Sequence, residues 1–116
     1  MISVRKNPRS STGYRTEAIF SITLHKKDLA LLQRIQAYFG GIGSIPKHEK
    51  DTYRYVVTSI KQISNFIIPH FYKYPLKTQK SADYLLFEMA VKLINKSQHL
   101  TNEGLKEIIA IRASMN

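Results

Sequence analysis

A basic and aromatic segment, HFYKYPLKTQK (His70 to Lys80), holds residue types that could bind an anion. It contains three lysines: Lys73, Lys77 and Lys80. A lysine ammonium is a compact point charge that suits a phosphate group. The segment equally suits a turn between two helices, with three apolar side chains closing the core: Phe71, Tyr74 and Leu76. We therefore interpret it first as an inter-helix joint and second as a place where lysines face an anionic ligand.

Metal-assisted phosphodiester cleavage needs carboxylates that converge where the phosphate sits. The chain has eight acids: Glu17, Asp28, Glu49, Asp51, Asp83, Glu88, Glu103 and Glu107. Two of them share one hairpin tip, and those on predicted helices are mixed with lysines, so no cluster suits a metal. The four histidines lack metal-ligand spacing, and the absence of cysteine removes thiolate zinc sites and thiol nucleophiles. We predict no metal site within this chain.

The charge balance favours a polyanionic partner. The 116 residues include 18 Lys and Arg against 8 Asp and Glu, a formal net charge of +10. Such a basic domain suits DNA, RNA or an acidic membrane surface. No apolar run approaches the ~18 residues of a membrane span, and the N-terminal MISVRKNPRSSTGY has no secretory h-region. We expect a nucleic-acid partner and no membrane.

Two predicted β-hairpins dominate the first half of the chain. Alternating residues over Ile2–Asn7 and Tyr14–Leu24 flank turn residues at Pro8–Gly13, which indicates the first hairpin. The second hairpin covers Ile42–Ser59, with KHEKD at its tip. Between them HKKDLALLQRIQAYFG has helical spacing of apolar residues and ends at paired glycines.

Three further helices are predicted after the second hairpin. Ser59 and Gln62 form a capping-box pattern for a helix that Pro69 and the YKYP turn (residues 72–75) should end. A third helix covers Thr78–Ser97, and Thr101 caps a fourth. The order is ββ-α-ββ-α-α-α in a single domain, residues 1–116. The fold class is therefore α+β, a four-stranded antiparallel sheet with helices on one face.

The other face of this sheet is predicted to be polar and basic. Ala18, Phe20, Ile22 and Leu24 alternate towards the helices, so their neighbours point away. A β-ribbon fits the major groove, where side chains reach base edges. The candidate DNA-contacting residues are Arg5, Arg15, Glu17, Ser21, Thr23, His48, Arg54, Val56 and Thr58. Residues near the hairpin tips should meet backbone phosphates: Arg5, Lys6, Arg9, Lys47 and Lys50. A merely solvated sheet face is the alternative.

Three segments resemble the LAGLIDADG homing endonucleases of organellar introns. They are AIFSITLHKKDLALLQRIQAYFGGIGSI, YRYVVTSIKQISNFIIPHFYKYPLKTQKSADYLLF and HLTNEGLKEIIAIRASMN. The specific parts are the LHKKD step into a helix, the YFGGIGSI turn and HFYKYPLKTQK. The resemblance covers nearly the whole chain. It implies a half-domain of αββαββα type whose saddle-shaped sheet lies over the major groove of double-stranded DNA.

The resemblance also implies catalytic parts. In the family, a basic residue of the HFYKYPLKTQK loop approaches the cleaved phosphate, and Lys80 or Lys77 matches it here. The acid that holds the catalytic Mg²⁺ ends the namesake helix, which would precede the first strand and is absent from this sequence. We therefore expect a half-domain, truncated at its N-terminus, that binds DNA without cleaving it and binds no metal alone.

Further expectations concern partners and origin. Without the namesake helix, apolar surface near Ile2, Val4, Phe20 and the third helix should be exposed, where a second half-domain could complete the fold. Lysine outnumbers arginine and isoleucine is abundant, which hints at an AT-rich organellar genome. The resemblance likewise implies a mitochondrial or other organellar location. An RNA-binding intron maturase and a catalytically dead remnant stay open as alternatives.

Overall fold

A computed structural model describes residues 1–77 and 79–115. Five strands form two antiparallel sheets. β1 (Ile2–Lys6) pairs with β2 (Tyr14–Ala18), and β3 (Phe20–His25), β4 (Lys47–Glu49) and β5 (Thr52–Val57) follow the spatial order β3-β5-β4. The predicted α+β class with antiparallel pairing is confirmed.

The predicted long strand Tyr14–Leu24 is interrupted at Ile19, which raises the strand count from four to five. The backbone N–H of Ile19 donates to Met1 O (2.8 Å), and the Met1 ammonium donates to Ile19 O (2.7 Å). Ile19 thus pairs on the β1 side, whereas the next residue, Phe20, lies opposite Val57 of β5. The chain passes from one sheet to the other at this residue.

The helices agree with the predicted order. A 3₁₀ turn (Lys26–Asp28) leads into α1 (Leu29–Tyr38). After β5 the chain forms α2 (Ile60–Gln62), a π-helical turn (Ile63–Ile67) and α3 (Ile68–Lys73). The chain then forms α4 (Gln79–Asn95), a 3₁₀ turn (Gln98–Leu100) and α5 (Asn102–Ser114). Both predicted caps form, since Ser59 Oγ accepts from Gln62 N–H (3.3 Å) and Thr101 Oγ1 from Gly104 N–H (3.0 Å). The predicted start of the third helix, Thr78, lies outside the described residues.

The second helix ends within the predicted YKYP turn, but the prediction that Pro69 helps to end it is wrong, because helical structure continues through Pro69 to Lys73. In the π-helical turn, Ile68 N–H donates to Ile63 O, five residues earlier. Proline normally breaks a helix by removing a donor and by clashing with the carbonyl four residues before it. The wider turn just before Pro69 relieves that conflict, and Pro69 then occupies the first turn of α3.

The core lies between one sheet face and the helices. Its fully buried large side chains are Tyr55, Leu32, Ile63, Ile67, Ile108, Val57 and Val91. α1 lies against β3 and β5, and α4 packs on α5 and reaches β2. The Tyr55 hydroxyl donates to Ile42 O (3.0 Å), so the largest buried side chain is also fixed by a hydrogen bond.

The predicted exposed patch is wrong for the strand residues, whereas the third predicted helix, α4, does carry exposed apolar side chains. Ile2 is only 3% exposed, because it lies opposite Ala18 and both face the core. Val4 and Phe20 also pack against the core. The exposed large apolar residues of α4 are Leu85 and Met89, at 58% and 52%. None of the described helices has the length and apolar content needed to cross a bilayer.

Candidate nucleic-acid interface

Strand register gathers the predicted polar residues on one side of the two sheets. In an antiparallel pair, residues directly opposite each other share a face, and alternate residues point to opposite faces. Arg5 lies opposite Arg15 in the first sheet, and Thr23 lies opposite Arg54 in the second. On the alternate positions, Ala18, Tyr55 and Val57 are buried and Ile22 and Leu24 are partly buried against the core. We call this uncovered surface the open face; its members are Arg5, Arg15, Glu17, Ser21, Thr23, Arg54 and Val56.

Hydrogen bonds and ion pairs organise the open face. Arg54 Nε donates to Thr23 Oγ1 (3.4 Å), and Arg54 Nη2 donates to His48 Nε2 (3.2 Å). Arg15 Nη2 lies 3.6 Å from Glu17 Oε2, and the Arg15 side chain is 60% exposed. A pair this exposed contributes little stability, so Arg15 can exchange its partner for a ligand at small cost.

The second hairpin carries an irregularity at His48. The register shifts between Lys47, which lies opposite Tyr53, and Glu49, which lies opposite Thr52. His48 is the extra residue, and such a bulge re-aims side chains. It directs His48 towards Arg54. Lys47 instead lies opposite a residue of the helix-covered face, so it stands at the sheet edge rather than among the open-face residues.

The remaining predicted phosphate contacts lie at the ends of the hairpins. Arg9 belongs to the turn of the first hairpin, which Asn7 N–H closes by donating to Gly13 O (2.8 Å). Ser11 Oγ donates to Leu100 O (2.8 Å) and ties this turn to the second 3₁₀ turn. Lys50 is exposed in the tip of the second hairpin, and Thr58 is exposed just after β5.

The lysine-rich segment is an inter-helix joint, as predicted. Phe71 packs on Phe20 and Tyr84, with ring centroids 5.9 and 5.0 Å apart. The prediction that Tyr74 closes the core is wrong, since it is 54% exposed. Its ring lies instead against His70 (centroids 5.3 Å apart), and Lys73 Nζ is 5.5 Å from its centroid.

Lys77 and Lys80 are both exposed, in the joint and in the first turn of α4. The next turn of α4 adjoins the open face, because a cavity of about 160 Å³ is lined by Ser21 and by Asp83 and Tyr84. Burial, with a smaller effect of Glu88, raises the pKa of Tyr84 to about 12. Tyr84 therefore stays protonated at neutral pH.

A family model described as LAGLIDADG endonuclease matches residues 1–91. The chain belongs to the LAGLIDADG endonuclease family. The family resemblance of its motifs is thereby confirmed.

Two relatives of this LAGLIDADG chain come from fungi. "Probable intron-encoded endonuclease 3" of Neurospora crassa is 47% identical over 116 residues, 99% of this chain and 22% of that protein. "Uncharacterized 50.9 kDa protein in ND4 intron 1" of Podospora anserina is 47% identical over 103 residues, 87% of this chain and 22% of that protein. The chain thus spans about a fifth of the length of these curated relatives.

A solved LAGLIDADG structure shares the fold closely. I-SmaMI, bound to an uncleaved DNA target in the presence of calcium ions, superposes with a TM-score of 0.98 at 45% identity. The match covers 100% of this chain and 40% of I-SmaMI.

The described carboxylates do not fit a Mg²⁺ site. No three of the His, Asp and Glu side chains in residues 1–77 and 79–115 converge as metal ligands would. Several carboxylates already face cations: Asp51 lies 3.2 Å from Lys26 and Glu88 lies 3.4 Å from Lys92. No catalytic step through a metal can be derived from these LAGLIDADG residues.

Sequence reasoning identified the residues of the open face but not their connections. It placed His48 as one more DNA contact, whereas the structure joins it to Arg54 through a bulge. Pro46 has no N–H to donate to a ladder, which is typical of an edge or bulged strand, and its carbonyl O accepts from Arg54 N–H (3.0 Å). That proline was the one signal of irregular pairing near the site.

Proposed function

We propose that this chain is a DNA-binding half-domain of an intron-encoded homing endonuclease, and that its open face lies in the major groove of a specific duplex. The observation that carries the proposal is the register of each sheet, which sets Arg15 beside Arg5 in the first sheet and Thr23 beside Arg54 in the second, on the faces opposite the buried core residues. The DNA-bound state of I-SmaMI, which has the same fold at 45% identity, supports it.

The open-face residues divide into two roles. Arg15 and Arg54 suit guanine edges, and Thr23 and Val56 suit thymine methyl groups, each good contact giving ~1–3 kcal/mol of discrimination. Ser21, Glu17, His48 and Thr58 complete the surface that faces the bases. Arg5, Lys6, Arg9, Lys47 and Lys50 neutralise phosphates, which releases counterions and makes binding fall steeply with salt.

Lys77 and Lys80 act as accessory cations near the scissile phosphate, because their segment joins the core beside the open face. None of the residues that the structure describes is assigned as a metal ligand. Cleavage and its Mg²⁺ then depend on carboxylates from a second segment or chain, and this chain alone binds without cutting. The ND4 intron of the Podospora relative supports an organellar origin.

A selection from a random duplex pool tests the proposal. The wild-type chain should enrich a defined sequence, and Arg15→Gln and Arg54→Gln should each relax it at a different position. Lys61→Gln and Lys106→Gln remove the same charge from exposed helix positions and serve as matched controls. If the control variants lost as much sequence preference as the Arg15 and Arg54 variants, the open-face proposal would be contradicted. Retention of intron RNA in preference to every duplex would favour the maturase alternative.

A further inference from the structure

The most specific arrangement on the open face surrounds Arg54. A guanidinium has five N–H donors and no acceptor. Thr23 Oγ1 takes the Nε–H, and His48 Nε2 takes one N–H of Nη2. Three N–H groups are left, two on Nη1 and one on Nη2, so one N–H from each terminal nitrogen can bind a base edge. A two-point fork of this kind matches the O6 and N7 acceptors of guanine in the major groove.

His48 can hold Arg54 only in its neutral form. Because the guanidinium cannot accept a hydrogen bond, His48 must accept at Nε2 and carry its proton on Nδ1. The same Nε2 lies 3.7 Å from Glu49 Oε1. A proton on Nε2 would abolish the acceptor for Arg54 and create an ion pair with Glu49. One nitrogen therefore has two alternative partners, 3.2 and 3.7 Å away.

The charged neighbours of His48 lie on both strands of the hairpin. Arg54 faces it from β5, Lys47 precedes it and Glu49 follows it on β4, and Lys50 lies two residues after His48 at the tip. At the end of the same hairpin, Lys26 and Asp51 pair with each other at 3.2 Å. The His48 side chain is 33% exposed, so protons and solvent reach it.

We infer that Arg54 reads one guanine of the target and that neutral His48 is the positioning residue that aims it, so that protonation of His48 releases Arg54 and weakens recognition at that base pair alone. The inference rests on the proposed function, because it requires the open face to lie in the major groove. It changes the role of His48 from a DNA contact to a residue that acts through Arg54.

The test is a duplex selection with the full chain at about pH 7.5 and about pH 5.5, an interval in which a histidine side chain ordinarily changes charge. Arg54→Lys keeps the charge but loses the fork, and so identifies the position that Arg54 reads. Wild type at the higher pH should prefer guanine there by roughly 5- to 140-fold. At the lower pH this preference should fall at least about fivefold, while the position that Arg15 reads stays unchanged.

Two variants of His48 distinguish a role in orienting Arg54 from a role in packing alone. His48→Gln keeps an acceptor without a titrating proton and should hold the guanine preference at both pH values. His48→Leu has no acceptor and should lose the preference at both. An unchanged guanine preference in His48→Leu, a wild-type preference independent of pH, or another base at this position would overturn the inference while leaving the proposed function intact. If the wild-type chain enriched no sequence, both the inference and the proposed function would be refuted.

Discussion

Gly43 is the position where the fold is expected to tolerate a side chain least. It has φ +80°, and a Cβ built there would lie 2.5 Å from Val56 O and 2.9 Å from Tyr55 Cε1 and Val57 Cγ2. The chain cannot easily move away, because Ser44 exchanges two backbone hydrogen bonds with Val56 (3.0 and 2.8 Å). Gly43→Ala should therefore destabilise the strand that carries Arg54.

The expected loss has two parts. A non-glycine residue in the left-handed region costs ~1–2 kcal/mol, and forcing extra atoms into a packed site costs about 1–3 kcal/mol. The free energy of unfolding of Gly43→Ala should fall by about 2–5 kcal/mol. Urea denaturation followed by far-UV circular dichroism measures it, since a domain of this size commonly unfolds in two states.

Gly41 provides the matched control for this prediction. It has φ +83°, and nothing lies within 4 Å of its built Cβ. Gly41→Ala should therefore cost only the conformational part, ~1–2 kcal/mol. If the two variants lose equal stability, or if Gly43→Ala loses none, the close approach of Gly43 to β5 does not exist in solution and the reasoning is refuted.

The remaining predictions concern tyrosines and salt. The Tyr84 hydroxyl is buried without a hydrogen-bond partner, so Tyr84→Phe should leave the melting temperature unchanged or raise it, whereas Tyr55→Phe, which loses the bond to Ile42 O, should cost ~1 kcal/mol. Because burial raises the pKa of Tyr84 from 10.0 to about 12 in the folded chain, the unfolded chain loses this proton first. The free energy of unfolding of the wild type relative to Tyr84→Phe should therefore be constant below pH 10 and fall as the pH rises towards 12. Urea denaturation at several alkaline pH values measures this difference, and a difference independent of pH would contradict the prediction. Arg9→Gln should reduce the slope of log K against log salt for duplex binding by ~0.9, with Lys61→Gln unchanged, and equal slopes would remove Arg9 from the phosphate contacts.

Local patterns predicted the faces of the sheet correctly. Alternation is a property of the strand itself, so the positions of Arg15 and Arg54 followed from their spacing to Ala18 and Tyr55. The caps at Ser59 and Thr101 are likewise local, because each side chain bonds a backbone N–H three residues away.

The features that the sequence did not predict depend on distant partners. The break at Ile19 arises from its pairing with Met1. Pro46 indicates an edge or bulged strand, but the place of the bulge, at His48, arises from the register of β4 on β5. Propensity and periodicity describe one segment at a time, so they carry no information about these contacts.

The central claim is that the open face, and not the helical side, contacts the duplex. An NMR titration of the isotope-labelled chain with the selected duplex tests it most directly, because every described backbone amide reports its own surroundings. Shifts should concentrate at Arg15, Ser21, Thr23, Arg54 and Val56, with the exposed helix positions Lys61 and Lys106 unmoved. Chemical-shift changes confined to α4 and α5, with none at β3 and β5, would contradict the account.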